Sequence, residues 1–264
     1  MDSIFAPGLF AGQVAIVTGG GTGIGLRTAE ELASLGARVA IGSRKLENVE
    51  RGLESLGRLT DGCLGHLLDV REPDSCEAFV RAVVERFGKI DVLVNNAGGQ
   101  FPSPAESLSA RGFEAVIKNN LNGLFYMTLA TAKRAMIPAG RGRIVNVIAD
   151  VARGFPGMAH TGAARAGVEN LTKSLAVEWA RYGIRVNACA PGTIVSSGTA
   201  QYGDAPLEMA RRETPVKRLG AVDDVSRVIV FLASDRNDYV TGSTYYVDGG
   251  SSLWGNKFPI DDPA

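Results

Sequence analysis

One pattern recurs along almost the whole chain: a short, nearly continuous apolar run, then a stretch with helical spacing. VAIVT (14–18), RVAIGS (38–43), GHLLDV (65–70), IDVLVNNAG (90–98), RIVNVIA (143–149), IRVNACAPG (184–192) and STYYVDGG (243–250) are the runs. They do not alternate apolar with polar, so both faces of each strand must be covered. Helices lie between them, for example from about Gly23 to Leu35 and through EAFVRAVVERFG and FEAVIKNNLNGLFYMTLATAKRAM. Buried strands joined by helices predict an α/β fold, a single doubly wound (Rossmann-type) parallel sheet with helices on both faces and right-handed crossovers. The stretch 193–220, TIVSSGTAQYGDAPLEMARRETPVKRLG, breaks the alternation and is expected to be a substrate loop or lid.

At 264 residues and 45% hydrophobic, the chain suits one domain, 1–264, with a full core. Lys+Arg and Asp+Glu are equal at 28 each, and no basic stripe is present, so neither nucleic acid nor a membrane surface is expected as a partner. No apolar run is long enough to span a bilayer. MDSIFAPGLFAG lacks the charged and apolar regions of a signal peptide. Cys63, Cys76 and Cys189 are scattered and odd in number, which suits free thiols in a reducing compartment. A cytoplasmic location and no metal site are the expectations.

TGGGTGIG (18–25) sits between the first strand and its helix. Glycines there permit a tight turn and close backbone approach, so free N–H groups at the helix start can hold a pyrophosphate. Thr18, Gly19, Gly23, Ile24 and Gly25 are the candidate cofactor contacts. A glycine-rich turn also serves any sharp strand-to-helix connection; its place after the first strand favours the dinucleotide. The second strand ends in Ser43 and Arg44 where an NAD-binding chain carries an acid for the ribose hydroxyl. A guanidinium there suits a 2′-phosphate, so NADP is expected. The alternative is a solvated arginine at a helix start.

TGGGTGIG, LDV with Asp69, NNAG (95–98), NNLNGLF with Asn120, GRIVNV, APG (190–192) and the terminal VDGG, in this order, resemble the short-chain dehydrogenase/reductases from about Gln13 to Gly250. GSRKLE, NNAGGQFPSPAE, HTGAARAGVENLTKSLAVEWA and APGTI are similar to the enoyl-CoA reductase branch, with the dienoyl-CoA reductases a further likeness. The resemblance implies NADPH and a 2-enoyl thioester, an acyl-CoA-type small molecule. It implies that Asp69 and Val70 border the adenine, that Asn96, Ala97 and Gly98 line the cofactor, and that Pro191, Gly192 and Thr193 meet its nicotinamide side. It implies that Asn120 anchors a water relay, and that the helix carrying Ala163, Ala164 and Gly167 lies at the interface of a homotetramer or homodimer.

The chain departs from this family where proton chemistry is usually done. The serine, tyrosine and lysine of most members are replaced by Ala149, Thr161 and Arg165. A second frame, ending at the lysine of NLTK, carries Glu169 and Lys173, again without tyrosine. Thr161 and Arg165 share a helix face. Arg165 can bind cofactor but does not release a proton near neutrality; Thr161 can donate a hydrogen bond to a developing enolate oxygen. His160 has two roles open to it, proton donor or a ring bonded to backbone at the helix start. Arg165, Glu169 and Lys173 form an i, i+4, i+8 ladder that suits two helix-stabilising pairs better than catalysis. Arg211, Arg212, Lys217 and Arg218 can meet a coenzyme A phosphate or form a solvated face. Three readings follow: an NADPH-dependent reductase of 2-enoyl thioesters, which demands least of a proton donor; a carbonyl or alcohol dehydrogenase, for instance of a branched terpenoid alcohol; or an NADP-holding scaffold without turnover.

Overall fold

A computed structural model describes residues 3–196, 198–199, 203–254 and 259–262. The elements run β1 (Val14–Thr18), α1 (Gly23–Ser34), β2 (Arg38–Ser43), α2 (Leu46–Gly57), β3 (Cys63–Leu67), α3 (Pro73–Phe87), β4 (Val92–Asn95), α4 (Ala110–Ile117), α5 (Gly123–Thr131), α6 (Ile137–Ala139), β5 (Gly142–Val147), α7 (Ala159–Trp179), β6 (Ile184–Pro191), β7 (Ile194–Val195), α8 (Asp204–Glu213), β8 (Gly220–Ala221), α9 (Val222–Ala233) and β9 (Thr244–Val247). Seven strands form one sheet in the order β3-β2-β1-β4-β5-β6-β9, and every pairing is parallel. The doubly wound sheet expected from the apolar runs is the one observed. The strand order reverses between β1 and β4, and the crevice at their carboxyl ends is where such sheets bind ligands.

The apolar strands explain the two-sided core. All residues of β1, β4 and β5 are buried. On one face Ala15, Val17 and Val94 pack with Leu32 of α1 and Ile229 of α9. On the other, Ile16 and Leu93 meet Phe79 of α3 and Met127 of α5. Fully burying one such side chain contributes about 1.5–3 kcal/mol.

Three local differences from the expected pattern have physical causes. The third strand begins at Cys63, two residues before the expected start, and its exposed Leu67 shows that it is an edge strand, covered less than the central ones. The long helix after NNAG is broken by π-helical turns at Lys118–Asn122 and Ala132–Met136; such turns occur where a helix bulges at a functional site. Within 193–220 the chain is not irregular throughout: β7 pairs with β8, and α8 carries Arg211 and Arg212.

Candidate active site

Two contiguous cavities of about 930 and 720 Å³ run along the carboxyl ends of the strands and share Ile24, Asn96, Gly98, Ser196 and Gly198 as walls. The larger is walled by the glycine-rich turn, the ends of β2 and β3, and the NNAG turn. Here α1 starts with no acid in its first turn and no side-chain cap from Thr22, so its leading N–H groups are left for an anion. The approach is close because Gly25 has no side chain: a Cβ there would collide with the Gly19 carbonyl and Asn96 Nδ2. The residues present therefore fit a dinucleotide.

Thr18 and Gly25, expected as cofactor contacts, line neither cavity. Thr18 is a bracket instead. Its buried hydroxyl accepts from the backbone N–H of Asn96 at 3.0 Å and of Ala97 at 2.9 Å, while Asn96 Nδ2 donates to the Thr18 carbonyl at 3.0 Å. Gly19, Gly23, Ile24, Ser43, Arg44, Asp69, Val70, Asn96, Ala97 and Gly98 do line the larger cavity. Arg71 donates to Asp69 Oδ1 at 2.8 Å and, by its side-chain bonds first, holds that carboxyl below the usual carboxylate range. Arg44 is exposed and forms no salt bridge among the described residues.

The smaller cavity takes in Arg165, Pro191, Gly192 and Thr193 as expected. Arg165 projects from the first turns of α7 and is only 8% exposed. Its Nη1 donates to the Val147 carbonyl at 2.9 Å, and its Nε has no partner. No acid pairs with it among the described residues; burial alone lowers its pKa to about 10, which leaves it charged at neutral pH. Gly98 makes room for it, because a Cβ at that position would strike Arg165 Nη2 and stand 2.7 Å from Asn120 Oδ1.

Three candidate catalytic residues stand behind the wall of the cleft; for Thr161, expected to donate to an enolate oxygen, this is a correction. Asn120, in the first π-helical turn, is buried; its Oδ1 accepts from Gly99 N–H at 3.1 Å, and its Nδ2 donates to the carbonyls of Gly99 (2.7 Å) and Val116 (2.9 Å). Its side chain braces the turn beside Arg165 rather than reaching the cleft. Thr161 is fully buried, with its hydroxyl 3.2 Å from His160 Nδ1. His160 is fully buried too; Nδ1 accepts from the Thr161 N–H at 2.7 Å and the ring stands edge-on to Phe101 at 4.6 Å. Of its two roles, the backbone-bonded one is what the structure shows.

The Enoyl-(Acyl carrier protein) reductase family, adh_short_C2, matches residues 19–252 of this chain. The chain belongs to the short-chain dehydrogenase/reductases. Within that family it is 39% identical over 259 residues to a peroxisomal 2,4-dienoyl-CoA reductase of Danio rerio, covering 95% of this chain and 85% of that protein. It is 36% identical to a probable 2,4-dienoyl-CoA reductase of Bacillus subtilis (strain 168), covering 94% of this chain and 99% of that one. Among solved structures it is similar to the citronellol catabolism dehydrogenase AtuB of Pseudomonas aeruginosa PAO1, at 44% identity and a TM-score of 0.87, covering 96% of this chain and 100% of that one. The family is one of oxidoreductases that use a nicotinamide cofactor.

The remaining charged candidates of this family member are tied up internally. Arg211 and Arg212 each donate to Glu208 at 2.9 Å, Arg211 also reaches Asp262 at 3.2 Å, and Arg218 meets Asp224 at 2.7 Å. Lys217 donates to the Arg212 carbonyl and sits 4.7 Å over the Trp254 ring. The charge ladder on α7 has only one rung, Lys173–Glu169 at 3.3 Å, because Arg165 is buried on the cleft side. Gly167 packs against Leu121 of the same chain. Asp150, Phe155, Met158 and Ser251 also line the smaller cavity, although no motif singles them out in the sequence. For Asp150 there was a signal: it follows a strand whose carboxyl end faces the crevice.

Proposed function

We propose that the protein reduces a carbon–carbon double bond conjugated to a thioester, as in a 2-enoyl- or 2,4-dienoyl-CoA, with NADPH as reductant. One observation carries this reading. The cleft holds a buried guanidinium, Arg165, charged and without an acid partner, and no tyrosine, lysine or histidine lines its smaller half among the described residues. Carbonyl reduction needs an acid that protonates oxygen as the hydride arrives. Conjugate reduction needs a fixed positive hydrogen-bond donor where negative charge gathers on the thioester oxygen. Arg165 suits the second demand and not the first. The names of the dienoyl-CoA reductases that resemble this chain favour the same substrate class.

Bound NADPH would supply the hydride. The chain's part is to hold and orient. The free N–H groups of α1 receive the pyrophosphate, and Arg44, with no acid at the end of β2, receives the 2′-phosphate through charge-assisted bonds. Asn120 fixes Gly99, and Gly98 admits the guanidinium. The apolar side chains of Ile148, Phe155, Met158 and Leu207 cover the acyl chain and exclude water, with α8 as the lid. Assembly as a homodimer or homotetramer and a cytoplasmic location belong to the same proposal; the three thiols are free.

Loss of NADPH absorbance with 2,4-hexadienoyl-CoA and with crotonyl-CoA, set against NADP reduction with citronellol, tests it. Turnover of a thioester is expected. Turnover of the alcohol alone, or NADPH binding with no turnover of any substrate, would overturn it.

A further inference from the structure

Reduction of the double bond consumes a hydride and a proton, and no group placed so far supplies the proton. Arg165 keeps its own. Thr161 and His160 are closed off from the cleft. Around the smaller cavity the described hydroxyls, such as Thr193, Thr199 and Ser251, are weak acids, and the one carboxyl is that of Asp150.

Asp150 is held in place. Its N–H donates to the Pro191 carbonyl at 3.0 Å, which ties the segment leaving β5 to the end of β6. Oδ1 accepts from the Ala152 N–H at 3.2 Å, and Oδ2 from the Ser251 hydroxyl at 3.2 Å. A carboxyl has about four acceptor sites, so these two long bonds leave capacity for a substrate or water. The side chain is partly exposed and makes no ion pair among the described residues. The charged or titratable groups around it are Asp248, 3.5 Å from the same Ser251 hydroxyl, Tyr246 on β9, Arg165 on α7 and Arg153 on its own loop.

We propose, resting on the thioester reading above, that Asp150 delivers the proton to the α carbon of the substrate. The hydride brings two electrons to the β carbon, or to the δ carbon of a dienoyl chain. The Asp150 O–H bond then breaks and a Cα–H bond forms, while the charge held by Arg165 on the thioester oxygen collapses back to a carbonyl. The carboxylate left behind regains a proton from water at the open side of the cleft. The cleft thereby divides between two residues what the usual family tyrosine does alone.

The test is kcat for the wild type, Asp150→Asn and Asp150→Glu with 2,4-hexadienoyl-CoA, together with NADPH affinity by fluorescence; a general acid contributes roughly 10²–10⁴-fold. Asp150→Asn should lose about that factor in kcat while still binding NADPH through the larger cavity, which Asp150 does not line. Asp150→Glu keeps the carboxyl and should retain part of the rate. If Asp150→Asn turned over as fast as the wild type, or Asp150→Glu were as slow as Asp150→Asn, the assignment would fall. It would fall equally if Tyr246→Phe caused the loss that Asp150→Asn did not. A wild type inert toward every thioester would instead sink the functional reading and remove the ground for this one.

Discussion

Arg165 carries an uncompensated charge into the interior. Leaving one buried cation without an acid destabilises the empty protein, and the contact to the Val147 carbonyl only partly offsets it. Arg165→Met should therefore stabilise the ligand-free fold, by about 1–4 kcal/mol on the scale of buried charges replaced by apolar residues. At about 2–4 °C per kcal/mol for a chain of this size, the gain is visible in a thermal melt. The same variant should lose thioester turnover. A melting temperature that fell would show that the guanidinium has a partner holding it. Arg165→Lys keeps the charge without the planar fork, and should retain part of the rate, measured by the loss of NADPH absorbance.

At the scale of elements, the site depends on three segments meeting at one point: the NNAG turn, the first π-helical turn and the start of α7. Gly98→Ala tests their fit. The added methyl strikes the guanidinium and crowds Asn120 Oδ1, and misplacing a catalytic group by about 1 Å can cost on the order of 10² in rate. We expect kcat to drop by at least about tenfold with far-UV circular dichroism unchanged; a variant as fast as the wild type would show that the segments give way freely. The strands that carry these segments were legible in the sequence, because central strands of a parallel sheet cannot tolerate polar alternation. The side-chain directions were not. Thr161 and Arg165 share a face by spacing, yet one bonds to His160 and the other reaches the cleft. Which way a short side chain in a first turn rotates depends on neighbours distant in the chain, here Phe101 against His160. Asn120 was legible as important but not as a brace, since the bulge that aims it leaves no mark in helical periodicity.

For the molecule as a whole, a cofactor bound in the crevice at the carboxyl ends of β1 and β4 would add to the stability of the fold. NADPH at a hundredfold excess over its dissociation constant adds about 2.7 kcal/mol of stability, or roughly 5–10 °C in melting temperature. NADH at the same concentration should give a smaller shift, and Arg44→Asp should reverse the order by placing an anion against the 2′-phosphate and an acceptor before the ribose. Equal shifts with the wild type would remove the NADPH assignment. The burial of Thr161 has a further consequence for how this protein can change. Thr161→Tyr, the replacement that would give back the family's usual side chain, puts a ring at a fully buried position beside His160, which itself packs on Phe101. A larger side chain there displaces what surrounds it, so the family's tyrosine cannot be restored at this position without rearranging its neighbours, and the order of substitutions, more than their number, decides whether selection or an engineer can take that route.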